Sequence, residues 1–276
     1  MNKENDIVRP LLNWVGGKAW LAPRVAEVFA GTSRTYYEPF LGGGSVFLYL
    51  ASVGIAKESY LADGSLRLIN MYKMVQRHPE EVSRILESLP KTNFKENYYK
   101  LREEFNNPDC NLAVSAALLM WLNKTGFNGL YRENSKGKYN VALGTAYNPY
   151  FPDYDHIMRV SELLQFAHIE HMDVSDWMLL DIREGSNIYI DPPYIKDRDG
   201  GFTQYIKGGF EMEQQITLIE RLKAICQIKD VSVAVSNHNT PHTQELYKNF
   251  NMEFYKRKRL LSAGIRDEAA ELFCYL

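Results

Sequence analysis

An open α/β sheet interrupted by a helical and hairpin insertion is the fold class this chain predicts. Three observations predict it. β-prone runs alternate with helix-periodic runs at both ends of the chain. Two of those runs end in an acid, Ser59 to Asp63 and Asn187 to Asp191, and a third, Tyr36 to Leu41, opens directly onto Gly42-Gly43-Gly44. From about Leu66 to Asn123 the alternation stops and helical periodicity takes over.

The elements follow in order. Leu11 to Lys18 reads as a loop leading into a helix from about Lys18 to Phe29. Tyr36 to Leu41 is strand-like, and Ser45 opens an apolar helix (Val46, Phe47, Tyr49, Leu50, Val53) as N-cap or first-turn residue. Ser59 to Asp63 completes a βαβ unit. Helices follow over Leu66 to Gln76, Pro79 to Leu89, Phe94 to Asn106 and Asn111 to Leu122, broken at Pro79, Pro90 and Pro108. Between Gly126 and Gly144, Asn128-Gly129, Asn134 and Lys136-Gly137 separate short β-prone pieces, which predicts a hairpin. A helix (Asp155 to Leu164), a strand (His168 to His171), a short helix near Trp177 and the Asn187 to Asp191 strand come next. Then come a helix over Glu211 to Gln227, a buried-type strand over Val231 to Ser236, and two strands near Glu253 to Arg259 and Ala270 to Leu276. The insertion spans roughly 66–153, between a first part at 1–65 and a second at 154–276.

Bulk properties bound the function without choosing it. With 276 residues the chain can bury one large core, or a core plus an inserted domain. A formal net charge of −2 neither supports nor excludes a nucleic-acid partner, so the placement of the positive charge decides. Cys110, Cys226 and Cys274 are far apart and form no CxxC pair, which predicts reduced thiols in a cytoplasmic protein and no metal. No run approaches a membrane span.

The chemistry is carried by two stretches. Glycines at the start of a helix let backbone approach a ligand, although a tight turn is an equally ordinary use of them. Asp63, about 20 residues on at the next strand end, is where an acid binds ribose hydroxyls. Gly16-Gly17-Lys18 lacks the spacing of a phosphate loop, and Phe47 stands where a pyrophosphate-binding glycine would be. A donor with adenosine and no phosphate fits, and S-adenosylmethionine is one. Carboxylates (Asp191, Glu38) and aromatic faces (Trp14, Phe40) would favour its sulfonium. On this reading Lys18 is a surface residue at a helix start. The second stretch is Asp191-Pro192-Pro193-Tyr194. Its prolines force the chain off the strand. Asp191 and the Pro192 carbonyl can accept both hydrogens of an exocyclic amine and localise its lone pair, while Tyr194 stacks on the base.

These residues, in this order, resemble the Dam-type (alpha class) DNA adenine-N6 methyltransferases over nearly the whole chain. Asn13 to Lys18 looks like the family's W-x-GGK motif, Glu38 to Phe47 like its cofactor loop, and Asp63 with Leu68-Ile69-Asn70 like the segment that follows. Asn128 to Arg132 with Asn140-Val141 looks like the recognition hairpin, Asp191 to Tyr194 like the catalytic motif, and Ser236-Asn237-His238 is also family-like. The resemblance implies a Rossmann-like methyltransferase sheet, discontinuous over 1–65 and 154–276, and a target-recognition domain at 66–153. It implies S-adenosylmethionine as donor, double-stranded DNA as partner and a flipped adenine as acceptor. Asp191, Pro192 and Tyr194 are then catalytic. Trp14, Lys18, Phe40, Gly42, Gly44, Ser45, Asp63 and Asp191 hold the donor. Asn13, Lys124, Phe127, Asn128, Leu130, Arg132, Asn134, Lys136, Lys138, Thr145 and Arg266 face DNA.

The chain also departs from the family pattern. GATC-specific relatives have Lys before the tryptophan, V-P-[FY] after the hairpin, and then an Arg in G-R-Y. Here stand Asn13, Val141-Ala142-Leu143 and Gly144-Thr145-Ala146. Lys and Arg are the side chains suited to guanine, so the target is expected to be GATC-related with altered or relaxed flanking readout. A cognate restriction endonuclease acting separately is left open. So are the same chemistry on cytosine N4, RNA adenine or a protein glutamine, and a silent DNA-binding regulator.

Overall fold

The computed structural model describes residues 7–31, 35–145, 148–194, 212–260 and 266–276. Within them the chain runs α1 (Ala22–Val28), β1 (Thr35–Glu38), α2 (Ser45–Ser52), β2 (Ser59–Asp63), α3 (Leu66–Arg77), α4 (Pro79–Ser88), α5 (Phe94–Phe105), α6 (Leu112–Thr125), α7 (Tyr154–Leu164), β3 (Ala167–His171), α8 (Val174–Trp177), β4 (Ser186–Ile190), α9 (Met212–Ile228), β5 (Val231–His238), α10 (Pro241–Leu246), β6 (Asn251–Leu260) and β7 (Arg266–Tyr275). The described strands form one sheet in the order β3-β2-β1-β4-β5-β7-β6. β1 to β5 are parallel, and β6 and β7 add an antiparallel ribbon beside β5. This is a Rossmann-like mixed α/β fold.

Strand alternation feeds two cores, because successive side chains point to opposite faces. Tyr36, Tyr189 and Phe273 join the cluster that also holds Leu68 and Trp121 of α3 and α6. Tyr37, Ile188, Ile190, Leu272 and Cys274 join a second cluster with Leu218 and Leu222 of α9. With both faces covered, β4 is buried at every residue from Ser186 to Ile190. Strand order reverses between β1 and β4, so the chain leaves their C-terminal ends in opposite directions. That divergence opens a crevice where the Gly42 loop, Asp63 and Asp191 emerge.

The elements depart from sequence expectation in four places. The first helix begins at Ala22 rather than Lys18: Pro23 presets its first turn, and the Lys18 amide is tied to Ser45 Oγ at 3.1 Å. The expected hairpin over 126–144 is irregular: its arms meet antiparallel at the isolated bridges Gly126↔Leu143 and Glu133↔Tyr139 without regular strands, and a 3₁₀ turn stands at Phe127–Gly129. Its arms still bond to each other, with Phe127 N–H donating to Ala142 O, Asn140 N–H to Arg132 O and Asn134 N–H to Lys138 O, and α5 with its C-terminal cap Asn106 supplies further partners. Asn106 pairs with Tyr139 N and O, while Tyr98 and Arg102 donate to Val141 O. Arg266 stands at the start of β7, paired with Leu260, rather than in a loop; its side chain lies outside the described residues, as do Ala146, Glu211 and the side chains of Lys258 and Arg259. Finally, α10 has no counterpart in the sequence reading, although Thr240 and Thr243 form a capping box before and within it. No described helix is long and apolar enough to cross a membrane.

Candidate active site

A cavity of about 830 Å³ lies at the β1/β4 crevice. That is the size of a ligand site. Trp14, Lys18, Phe40, Gly42, Ser45, Asp63, Asp191, Pro192 and Tyr194 all line it. Gly44 does not: its N–H donates to Leu41 O, and a Cβ there would sit 2.8 Å from Tyr72 Oη.

The glycine loop is shaped by an aromatic neighbour. Gly42 is at φ +49°, and a Cβ on it would meet Trp14 Nε1 at 2.9 Å; one on Gly43 would meet Trp14 Cβ at 2.7 Å. The close approach that these glycines allow is therefore to Trp14. Asp63 closes the loop from β2: Oδ2 accepts Gly42 N–H at 2.9 Å and Oδ1 accepts Ser65 N–H at 2.8 Å. Burial pushes the Asp63 carboxyl up, and these two amides pull it back. Glu38 ends β1 fully buried, with Tyr36 Oη donating to it at 2.7 Å. Burial holds its carboxyl well above the usual range.

Asp191 follows the last residue of β4 and meets a cation and a hydroxyl. Lys18 Nζ lies 3.0 Å from Oδ1, and Ser236 Oγ donates to Oδ1 at 2.7 Å. Tyr189 Oη shares a 2.7 Å bond with Ser236 Oγ. Burial raises the Asp191 pKa, Lys18 and Ser236 oppose the rise, and Glu271 adds to it. The Asp191 side chain still keeps 22% of its surface, at the cavity wall. Lys18 is only 3% exposed, which corrects the reading of it as a surface lysine. The cause is tertiary: besides Asp191, its ammonium donates to Gly16 O at 2.7 Å and stands 5.0 Å from the Tyr194 ring centre. Tyr194 stacks on His238 and donates to Glu271.

A second cluster joins the N-terminal loop to the insertion. Buried Asn123 on α6 accepts Asn13 N–H at 2.7 Å and donates to Asn13 O and Gly129 O. Lys124 Nζ donates to Asn13 Oδ1 at 2.8 Å, and burial lowers its pKa to about 8. Trp14 stacks on Tyr131, centres 5.6 Å apart. Exposed Phe127 and Asn128, with Leu130 half-buried, belong to this corner. Arg132, Asn134, Lys136, Lys138 and Thr145 are exposed farther along. Arg132 Nε donates to Asn140, and Asn134 Oδ1 accepts the amides of Lys136 and Lys138, shaping a turn. Arg257 of β6 lies over the Trp20 ring and reaches the cavity wall.

Sequence reasoning gave no site role to Ser236, Tyr189, Glu271, His238, Tyr131 or Asn123. Tyr189 could have been found, since it sits two residues before Asp191 and so shares its face. Ser236 and His238 lay inside a stretch quoted for its family likeness. Glu271 carries no local signal.

A profile described as D12 class N6 adenine-specific DNA methyltransferase matches residues 14–261. The chain is 34% identical over 257 residues to the type II methyltransferase M1.LlaDCHI of Lactococcus lactis subsp. cremoris, covering 91% of this chain and 89% of that protein. It is 32% identical over 272 residues to the type II methyltransferase M.MjaIII of Methanocaldococcus jannaschii, covering 92% and 93%. To the DNA adenine methylase of Escherichia coli strain K12 it is 33% identical over 269 residues, covering 96% and 94%.

Proposed function

The chain belongs to the D12 class of N6 adenine-specific DNA methyltransferases, whose methyl donor is S-adenosylmethionine, and from that premise we propose how its own residues serve the reaction. The acceptor is adenine N6 in a base turned out of a DNA duplex. One observation carries this: the Gly42 loop, Asp63 and the Asp191-Pro192-Pro193-Tyr194 segment wall a single cavity at the reversal of strand order.

The donor fits these residues. Asp63 holds the loop with one lone pair on each oxygen and retains others for ribose hydroxyls. Trp14 and Phe40 offer aromatic faces and the Asp191 carboxylate suits a positive sulfonium, whereas Glu38, held protonated by burial, lines the cavity without that charge. When bound, the donor supplies an electrophilic methyl group. Asp191 and the Pro192 carbonyl accept the two N6 hydrogens and localise the nitrogen lone pair. Ser236 aims one Asp191 oxygen, and Lys18 keeps the carboxylate charged while no base is present. The base and the Lys18 ammonium compete for Asp191 and for the Tyr194 ring, so Lys18 must withdraw as the base enters. Proximity and alignment of nitrogen, methyl and sulfur then supply most of the rate.

The 66–153 segment is the reader of the duplex on this proposal. Phe127 fills the gap left by the turned-out base, and Asn128, Leu130 and Arg132 face base edges. Lys136 and Lys138 contact phosphate. Asn13 gives up a cation that GATC-specific relatives place there, and the Lys124 ammonium bonded to Asn13 Oδ1 returns one to the same spot. Thr145 supplies no cation where those relatives place Arg, so readout at the outer base pairs is altered there.

The test is mass spectrometry of nucleosides from DNA incubated with the donor. N6-methyladenine appears with wild type and is lost with Asp191→Ala. A wild-type protein that modifies no duplex, or that yields N4-methylcytosine, defeats the proposal. Methylation mapping in a methylase-free host tests the readout: clean GATC modification would show that Asn13 and Thr145 change nothing.

A further inference from the structure

Tyr194 is held by two residues that face each other across a strand pair. β5 and β7 run antiparallel with His238 opposite Glu271. The His238 ring lies against Tyr194 with centres 4.2 Å apart and 20° between planes. From the other strand, Glu271 Oε2 accepts the Tyr194 hydroxyl at 2.6 Å. Glu271 is only 6% exposed and lines the cavity. A buried carboxylate that also raises the pKa of Asp191 is costly to stability. Its placement therefore calls for a functional reason.

The geometry points to one. We propose that Glu271 and His238 are positioning residues that cradle Tyr194 and present a single ring face to the incoming base. His238 closes the rear face, and the Lys18 ammonium marks the face that remains. Pro192 and Pro193 have no N–H, so the chain leading to Tyr194 cannot be fixed by a ladder. Side-chain contacts set its orientation instead. The Glu271 bond fixes ring rotation about the hydroxyl. The inference rests on the reading that Tyr194 stacks on the target base.

The test uses the full chain, tritiated S-adenosylmethionine and genomic DNA from a methylase-free host. Single-turnover methyl transfer and calorimetric donor affinity are measured for each variant. Glu271→Ala slows transfer about tenfold or more, the value of a charge-assisted hydrogen bond, and leaves donor affinity within about twofold. Tyr194→Phe does the same, and the double variant loses no more than either single. Glu271→Gln, which keeps an acceptor, stays within about threefold of wild type, and His238→Ala slows transfer without weakening the donor. Multiplicative losses in the double variant overturn the cradle. So does a Gln variant as slow as Ala, or a parallel fall in donor affinity. Should Glu271→Ala melt, Glu271→Gln and Tyr194→Phe still decide. Tyr194→Ala separates the two readings: if it transfers at the wild-type rate, base stacking itself fails, whereas a slow Tyr194→Ala beside a fast Glu271→Ala rejects only the cradle.

Discussion

On the proposed reaction, Asp191 has to carry charge in surroundings that favour its neutral form. Burial raises its pKa, and Lys18 and Ser236 restrain the rise. In that reaction the ionised carboxylate is the form that accepts an N6 hydrogen, beside the Pro192 carbonyl that accepts the other, so methyl transfer falls as pH drops through the raised pKa. That loss sets in at a higher pH than for an ordinary aspartate. Ser236→Ala removes a donor to the charged form and moves the midpoint of the single-turnover pH profile upward; an unmoved midpoint would detach Ser236 from Asp191. Glu38 titrates on the stability side. Its folded pKa lies well above 4.5, so the folded state holds a proton that the unfolded state has already released. Stability therefore declines as pH rises from about 4.5 through the raised pKa. Glu38→Gln abolishes that decline. Its melting temperature relative to wild type should climb between acidic and neutral pH in thermal melts. The sequence names both acids, but nothing local says which burial will neutralise.

Among the elements, the junction between the N-terminal loop and the insertion matters most. Asn123 is 1% exposed and satisfies three backbone groups on Asn13 and Gly129. Removing it strands buried polar groups, at about 1 to 3 kcal/mol each. Asn123→Ala should lower stability by about 3 kcal/mol in denaturant melts and weaken DNA binding more than donor binding. The Gly42–Gly44 loop is the other sensitive element. Gly43→Ala drives a Cβ to 2.7 Å from Trp14 Cβ. Overpacking of that kind costs about 1 to 3 kcal/mol, and here it also tilts Trp14 off Tyr131, so donor affinity should fall in calorimetry. The glycines were legible as a site of close approach. That the close neighbour is Trp14 was not, because Gly42 lies 28 positions after Trp14. The 126–144 segment shows the same limit: its turn residues predict arms that do bond to each other, but not that Tyr98, Arg102 and Asn106 take the remaining backbone groups of Tyr139 and Val141.

For the whole molecule, charge placement outweighs the net charge of −2. Lys136 and Lys138 are exposed on the insertion turn, and Arg257 reaches the cavity from the β6–β7 ribbon. If both lysines contact phosphate, the Lys136→Ala/Lys138→Ala variant binds duplexes of any sequence more weakly. Its slope of log affinity against log salt then shrinks by about 2. An unchanged slope would place the duplex elsewhere.

The alternation of strand and helix, the acids closing β2 and β4, the glycine loop and the Asp-Pro-Pro-Tyr turn were all readable along the chain. Each depends on residues within one or two turns of one another. What faces them was not readable: Lys18 and Ser236 on Asp191, Trp14 on Gly43, Glu271 and His238 around Tyr194. Those contacts join segments up to 173 residues apart. Sheet order and strand register set them, and the register pairs His238 with Glu271 through backbone hydrogen bonds that carry no side-chain signature.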